Sequence, residues 1–145
     1  MLVRDVMSSP AITIGAHDEI AEAARVLDRL NLTSLPVVDQ HLHLLGIITE
    51  ADVIGQLSAC DQHPRGAHQR TDEPRVRDAM TARVLTVSAD DDIAGVVALM
   101  SGTTLKSLPV LLHDRVIGVM SRRDVVRAMA RGDLDARLTA DSSPV

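Results

Sequence analysis

Two short stretches carry residue types that can do chemistry together, Thr49-Glu50-Ala51-Asp52 and Ser121-Arg122-Arg123-Asp124. Each sets a carboxylate three residues after a hydroxyl, and each follows a glycine and an apolar run, Gly46-Ile47-Ile48 and Gly118-Val119-Met120. Such a pattern predicts a strand handing over to a helix. A carboxylate there accepts two hydrogen bonds side by side, which suits the paired 2′ and 3′ hydroxyls of a ribose. A hydroxyl and free N–H groups at a helix N-terminus favour a phosphate. The same residues are also a plain helix cap, worth about 1 kcal/mol. One copy would read as a cap. Two copies, each closing a similar unit, point to a site in each half, with capping as a compatible second role.

The elements that must position these residues are themselves repeated. Val3-Arg4-Asp5-Val6-Met7 returns as Val76-Arg77-Asp78-Ala79-Met80, an offset of 76 minus 3, or 73 residues. That offset also relates Thr13 to Thr86, Asp18 to Asp91, and Ser34-Leu35-Pro36-Val37 to Ser107-Leu108-Pro109-Val110. Between Gly46 and Gly118 it has fallen to 72, so one residue is lost in a turn, where Asp39-Gln40-His41 faces Leu112-His113-Asp114. Loop tips tolerate such changes. Each half then reads β-α-β-β-α, an α+β unit. A short leader precedes a strand at 11–14 or 84–87. A helix follows, with Ile20, Ala23, Ala24, Leu27 and Leu30, or Ile93, Val96, Val97 and Met100, on one face. Ser88-x-x-Asp91 predicts a capping box for the second copy of that helix, and Gly15 with Asp18 a weaker one for the first. A hairpin comes next, with Pro36 or Pro109 at a strand start, and a last helix opens at Glu50 or Arg122. The units span 2–57 and 76–131. A polar linker at 58–75, with His63, Pro64, Arg65, Gly66, His68 and Arg70, separates them, and a tail at 132–145 ends in Asp141-Ser142-Ser143-Pro144. One unit alone is marginal in size, while two can share a core.

Bulk composition narrows the function classes. The 145 residues are 46% apolar and 24% charged, which is globular. No apolar run is long enough to span a bilayer and Met1-Leu2-Val3-Arg4-Asp5 is no signal core, so a cytoplasmic protein is expected, without membrane association. The single cysteine, Cys60, allows no intrachain disulfide and fits a reducing compartment. Without export, the Asn31-Leu32-Thr33 sequon is silent. A net charge of −5 and the absence of Phe, Tyr and Trp argue against nucleic-acid binding. The missing aromatics also mean that any bound base lies between aliphatic side chains and is read by backbone groups. His41-x-His43 and the pair His63 and His68 make no three-ligand set with carboxylates, so no metal is expected. Cys60 has no base beside it beyond His63, and no Walker loop is present, so no catalysis is expected.

The paired Val-Arg-Asp-x-Met leaders, Leu-Pro-Val strands and Gly-x-x-(Thr/Ser)-x-x-Asp closings resemble a tandem pair of cystathionine-β-synthase (CBS) domains, also called a Bateman module. The resemblance covers about 2–57 and 75–131. It implies two units packed about a pseudo-twofold axis, with two clefts that hold adenosine compounds: AMP, ADP or ATP, sometimes S-adenosylmethionine or NAD. It also implies a homodimer and a regulatory role toward an unknown partner, with no required cofactor. With nothing left over to be regulated, the chain looks like a stand-alone CBS protein. By resemblance Asp52 and Asp124 hold the ribose, and Thr49 and Ser121 face the phosphate. Ile12 with Thr13, and Leu85 with Thr86, offer backbone groups to the adenine edge. Thr33, Ser34 and Leu35, and Lys106, Ser107 and Leu108, line the base and ribose. Ile14, Val37, Val87 and Val110 are core. The alternative is a constitutive dimerisation or interaction module with empty clefts.

One departure separates the two halves. Many nucleotide-binding members carry Arg or His just before Leu-Pro-Val, where this chain has Ser34 and Ser107. Lys106, Arg122 or Arg123 can substitute in the second half, whereas the first has Glu50 opposite Arg122. Arginines opening a helix oppose its dipole unless an anion is bound, although they also suit a solvated surface. The expectation is therefore two unequal sites, with the Asp124 site the better one for phosphorylated ligands.

Overall fold

A computed structural model describes residues 1–61 and 73–134. The elements in chain order are α1 (Val3–Val6), β1 (Ile14–Gly15), α2 (Ile20–Leu30), β2 (Ser34–Val38), β3 (Leu44–Thr49) and α3 (Glu50–Asp61). The repeat follows as α4 (Val76–Ala79), β4 (Val87–Ser88), α5 (Ile93–Ser101), β5 (Ser107–Leu112), β6 (Arg115–Ser121) and α6 (Arg122–Ala130). The helix α3 runs on to Asp61, into the stretch read as linker. The linker residues His63, Pro64, Arg65, Gly66, His68 and Arg70, and the tail beyond Leu134, lie outside the described residues.

Helix and strand segregate into an α+β fold with two three-stranded sheets, ordered β1-β2-β3 and β4-β5-β6. In each, a short parallel strand flanks an antiparallel hairpin. The compact units are Ile12–Val84 on one side and Met1–Ala11 with Leu85–Val145 on the other. The leader of each sequence repeat thus packs with the body of the other repeat. Val3 donates its N–H to the Asp91 carbonyl at 2.9 Å, and Val76 donates to the Asp18 carbonyl at 2.8 Å. Arg4 and Arg77 donate likewise to the carbonyls of Ala89 and Ala16. Both leader valines are fully buried: Val3 joins Val87, Ile93, Leu108 and Met120, and Val76 joins Ile14, Leu27, Leu35 and Ile48. Asp5 and Asp78 close the leader helices by accepting the N–H of Leu2 and Arg75.

Three local readings are corrected. The expected strands at 11–14 and 84–87 shrink to Ile14–Gly15 and Val87–Ser88, because only those residues meet a partner, at Val37–Val38 and Val110–Leu111. Asp18 and Asp91 do bond Gly15 and Ser88, each at 2.8 Å, but they close turns ahead of the helices. The side-chain cap of α5 is Asp92, which accepts the N–H of Ala94. The apolar faces hold for Ile20, Ala23, Leu27, Ile93, Val96 and Met100, while Leu30 is exposed and Val26 is buried in its stead. Asn31 ends α2 in the left-handed region at φ 54°, which asparagine tolerates well.

The prolines sit in central strands, where a missing N–H ordinarily breaks a ladder. Pro36 pairs with Ile47, whose own N–H and carbonyl turn the other way, to Thr81 at 2.9 Å each. On its other side β1 begins only opposite Val37, so the proline interrupts no ladder bond. Pro109, Val119 and Ser8 repeat the arrangement. The residue lost between repeats is in the hairpin: β2 and β3 are joined through Asp39–His43, whereas His113 and Asp114, both at positive φ, make a two-residue turn.

Candidate functional site

The N-terminal ends of β1 and β2 and the C-terminal end of β3 lie at one end of the first sheet, since β1 and β2 are parallel and β3 runs back. Ile12 and Thr13 lead in at that end, Ser34 pairs with Thr49 across it, and α3 departs from it. Glu50 donates its N–H to the Thr33 carbonyl at 3.1 Å, which fixes where the helix starts. The second sheet gathers Leu85, Thr86, Lys106, Ser107, Ser121 and Asp124 in the same way, and Arg122 donates its N–H to the Lys106 carbonyl at 3.1 Å. The candidate residues therefore fall into two sets, one at the end of each sheet.

At the first end, Thr49 and Asp52 form a reciprocal box. The Thr49 N–H donates to Asp52 Oδ2 at 2.9 Å, and the Asp52 N–H donates to Thr49 Oγ1 at 3.2 Å. Asp52 Oδ1 accepts from no described residue, and its side chain is half-buried. At the second end the box is fuller. Ser121 donates both its N–H (2.8 Å) and its hydroxyl (3.0 Å) to Asp124 Oδ2, and accepts the Asp124 N–H at 3.2 Å. Asp124 Oδ1 accepts the Ser8 hydroxyl at 2.7 Å and an Arg127 guanidinium N–H at 3.3 Å. Asp124 is 2% exposed.

Sequence reasoning missed Ser8 and Arg127. Arg127 was open to it, since a cation three residues after an acid on a helix is a standard neighbour. The bond from Ser8 crosses 116 residues of chain and left no local trace.

The other candidates divide. Leu35 and Leu108 are fully buried in the cores of their units, where a strand leucine between apolar neighbours packs inward. Ile14, Val37, Val87 and Val110 are buried as expected. Ile12, Thr33, Leu85, Thr86 and Lys106 are exposed, and Thr13, Ser34 and Ser107 are half-buried. Arg122 and Arg123 face solvent, and the Arg122 guanidinium is tied to the Thr103 carbonyl at 2.9 Å. In the β2–β3 loop the Asp39 carboxyl is held below its ordinary value, first by the backbone N–H of His43 and further by that of His41. Among the described residues no group of three or more His, Cys, Asp or Glu is arranged to hold a metal. No described helix is long and apolar enough to cross a membrane. His63 and His68 fall outside the described residues, as does the Cys60 side chain.

The CBS domain family matches at residues 3–59 and 76–131. L-aspartate semialdehyde sulfurtransferase of Methanocaldococcus jannaschii is 32% identical over 127 residues, which is 87% of this chain and 23% of that protein. Inosine-5′-monophosphate dehydrogenase of the same organism is 28% identical over 85% of this chain and 22% of its own length. The chain thus spans under a quarter of the length of these curated relatives. Among solved structures, the CBS domain pair of protein MJ0100 in complex with 5′-methylthioadenosine and S-adenosyl-L-methionine is 30% identical. It has a TM-score of 0.73 and covers 91% of this chain and 98% of that one. CBSX2, a protein of Arabidopsis thaliana, in complex with AMP is 25% identical with a TM-score of 0.77, covering 92% and 98%.

Proposed function

This chain belongs to the CBS-domain family as a tandem pair, and from that premise we propose that it is a regulatory module that binds an adenosine compound and is not itself a catalyst. The single observation that carries the reading is the Thr49–Asp52 box, which sits at a sheet end with a carboxylate oxygen that no described residue occupies. A ribose diol supplies the two donors such a carboxylate accepts. The complexes of similar structures with S-adenosyl-L-methionine, 5′-methylthioadenosine and AMP support the choice of an adenosine ligand. The chemistry shared by those compounds is the adenine and the ribose, so AMP, ADP, ATP, NAD and S-adenosylmethionine all remain within the class. Binding regulates a partner only through different affinity for two states of the module. A thermal-shift screen with these six compounds tests the reading, since a ligand of the folded state raises apparent stability. At least one is expected to raise Tm, and no shift from any of them rejects the proposal.

The assembly we infer is a homodimer. Ile54 and Leu57 of α3 are 64% and 65% exposed, and their repeat counterparts Val126 and Met129 of α6 are 64% and 46% exposed. The same apolar face offered twice suits a second copy of the chain, because a symmetric interface uses self-complementary surface. Light scattering should give twice the chain mass, and one chain mass for Leu57→Glu with Val126→Glu. A monomeric parent protein rejects this assembly.

A further inference from the structure

The two aspartates differ in what is left of them. A carboxylate has about four lone-pair positions. On Asp124 four donors are already in place: the Ser121 N–H, the Ser121 hydroxyl, the Ser8 hydroxyl and the Arg127 guanidinium. On Asp52, among the described residues, only the Thr49 N–H is in place. The helix-capping hydroxyls differ in the same sense. Ser121 spends its proton on Asp124 Oδ2, whereas Thr49 Oγ1 accepts the Asp52 N–H and donates to no described residue. The repeat explains the difference. The counterpart of Arg127 is Gly55, which has no side chain to offer, and the counterpart of Ser8 is Thr81, which makes no side-chain bond to Asp52.

We infer that Ser8 and Arg127 close the Asp124 site to a ribose by occupying its carboxylate themselves, so that the module takes its nucleoside at Asp52. This rests on the nucleoside-binding reading above. A diol arriving at Asp124 must displace two donors, one of them charged, from a carboxylate that is 2% exposed. At Asp52 no donor from the described residues other than the Thr49 N–H stands on the carboxylate. Breaking bonds of that kind to admit a ligand of equal bonding capacity leaves little net gain. The order is the reverse of the one expected from Arg122 and Arg123. Those arginines bear on a phosphate, while the ribose is decided by the carboxylates.

Calorimetric titration of the full chain with 5′-methylthioadenosine tests this. That compound has the ribose but no phosphate, so an arginine change is not read as a phosphate effect. One equivalent per chain is expected. Asp52→Ala should weaken binding about ten- to a hundredfold, and Asp124→Ala by no more than about threefold. Ser8→Ala with Arg127→Ala should add a second equivalent, which Asp124→Ala then removes. Should that variant fail to fold, Gly55→Arg gives the reciprocal arm. Gly55 is exposed and a Cβ there meets nothing within 4 Å, so the helix admits a side chain at that position, and the arginine should weaken binding at Asp52. Two equivalents in the parent protein, or equal losses from the two aspartates, overturn the inference and leave the nucleoside reading standing. No binding by any variant overturns both.

Discussion

At the scale of single residues, the aspartates can be separated by stability as well as by binding. Asp52→Ala removes a helix cap from a half-buried position, at a cost of about 1 kcal/mol. Asp124→Ala removes the same cap and also takes a buried shared acceptor from Ser8, Ser121 and Arg127, of which Ser8 and Arg127 are themselves exposed and can turn to water. The lost hydrogen bonds are worth about 0.5–1.5 kcal/mol each beyond the cap. Urea denaturation should therefore show a larger midpoint shift for Asp124→Ala at unchanged slope. Equal shifts would mean that the Ser8 and Arg127 contacts carry no energy. The motif itself was legible, because Thr-x-x-Asp and Ser-x-x-Asp are local spacings with a physical use. What the motif did not disclose was occupancy. That depends on Ser8, which reaches Asp124 only after the chain has folded. Arg122 and Arg123 were legible as a helix-opening pair; in the structure Arg122 bonds the Thr103 carbonyl, and it is Arg127 that reaches the carboxylate.

At the scale of elements, the glycines show why the repeat is written as it is. A Cβ on Gly46 would stand 2.5 Å from the Thr81 carbonyl oxygen, and one on Gly118 would stand 2.8 Å from that of Ser8. The leader crosses β3 or β6 at that point, and only glycine leaves room. Gly46→Ala and Gly118→Ala should each destabilise by about 1–3 kcal/mol, since backbone must move. Gly55 and Gly95 lie inside α3 and α5, where an added Cβ meets nothing within 4 Å. Alanine at either should stabilise by about 0.5–1 kcal/mol through helix propensity and a less flexible unfolded chain. Thermal melts of the four variants should split into two pairs of opposite sign. A neutral result at Gly46 would mean that the leader is not seated there. Helices and hairpins were readable because their apolar periods are long and regular. The strands β1 and β4 were overdrawn because an apolar run has no way to signal that its partner strand is free at only two positions.

At the scale of the molecule, the repeat in the sequence and the unit in space are cut differently. The periodicity marks 2–57 and 76–131, and the matched family residues follow that phase. Packing instead joins the 75–84 leader to the first body and the 1–11 leader to the second. Nothing local distinguishes these pairings, because the two leaders share Val-Arg-Asp-x-Met and the two bodies offer the same carbonyls, Asp18 with Ala16 and Asp91 with Ala89. The exchange has a consequence for fragments. Residues 12–84 are one contiguous compact unit, in which Val76 fills the core beside Leu35 and Ile48 and Thr81 covers the edge of β3 at Ile47. Residues 2–57 lack both, which leaves a core vacancy and an open strand edge in a body already marginal in size. The 12–84 fragment should unfold in a cooperative transition by circular dichroism, and Val76→Asp should abolish it. The 2–57 fragment should show no such transition, and its cooperative folding on its own would mean that the first body does not depend on the second leader.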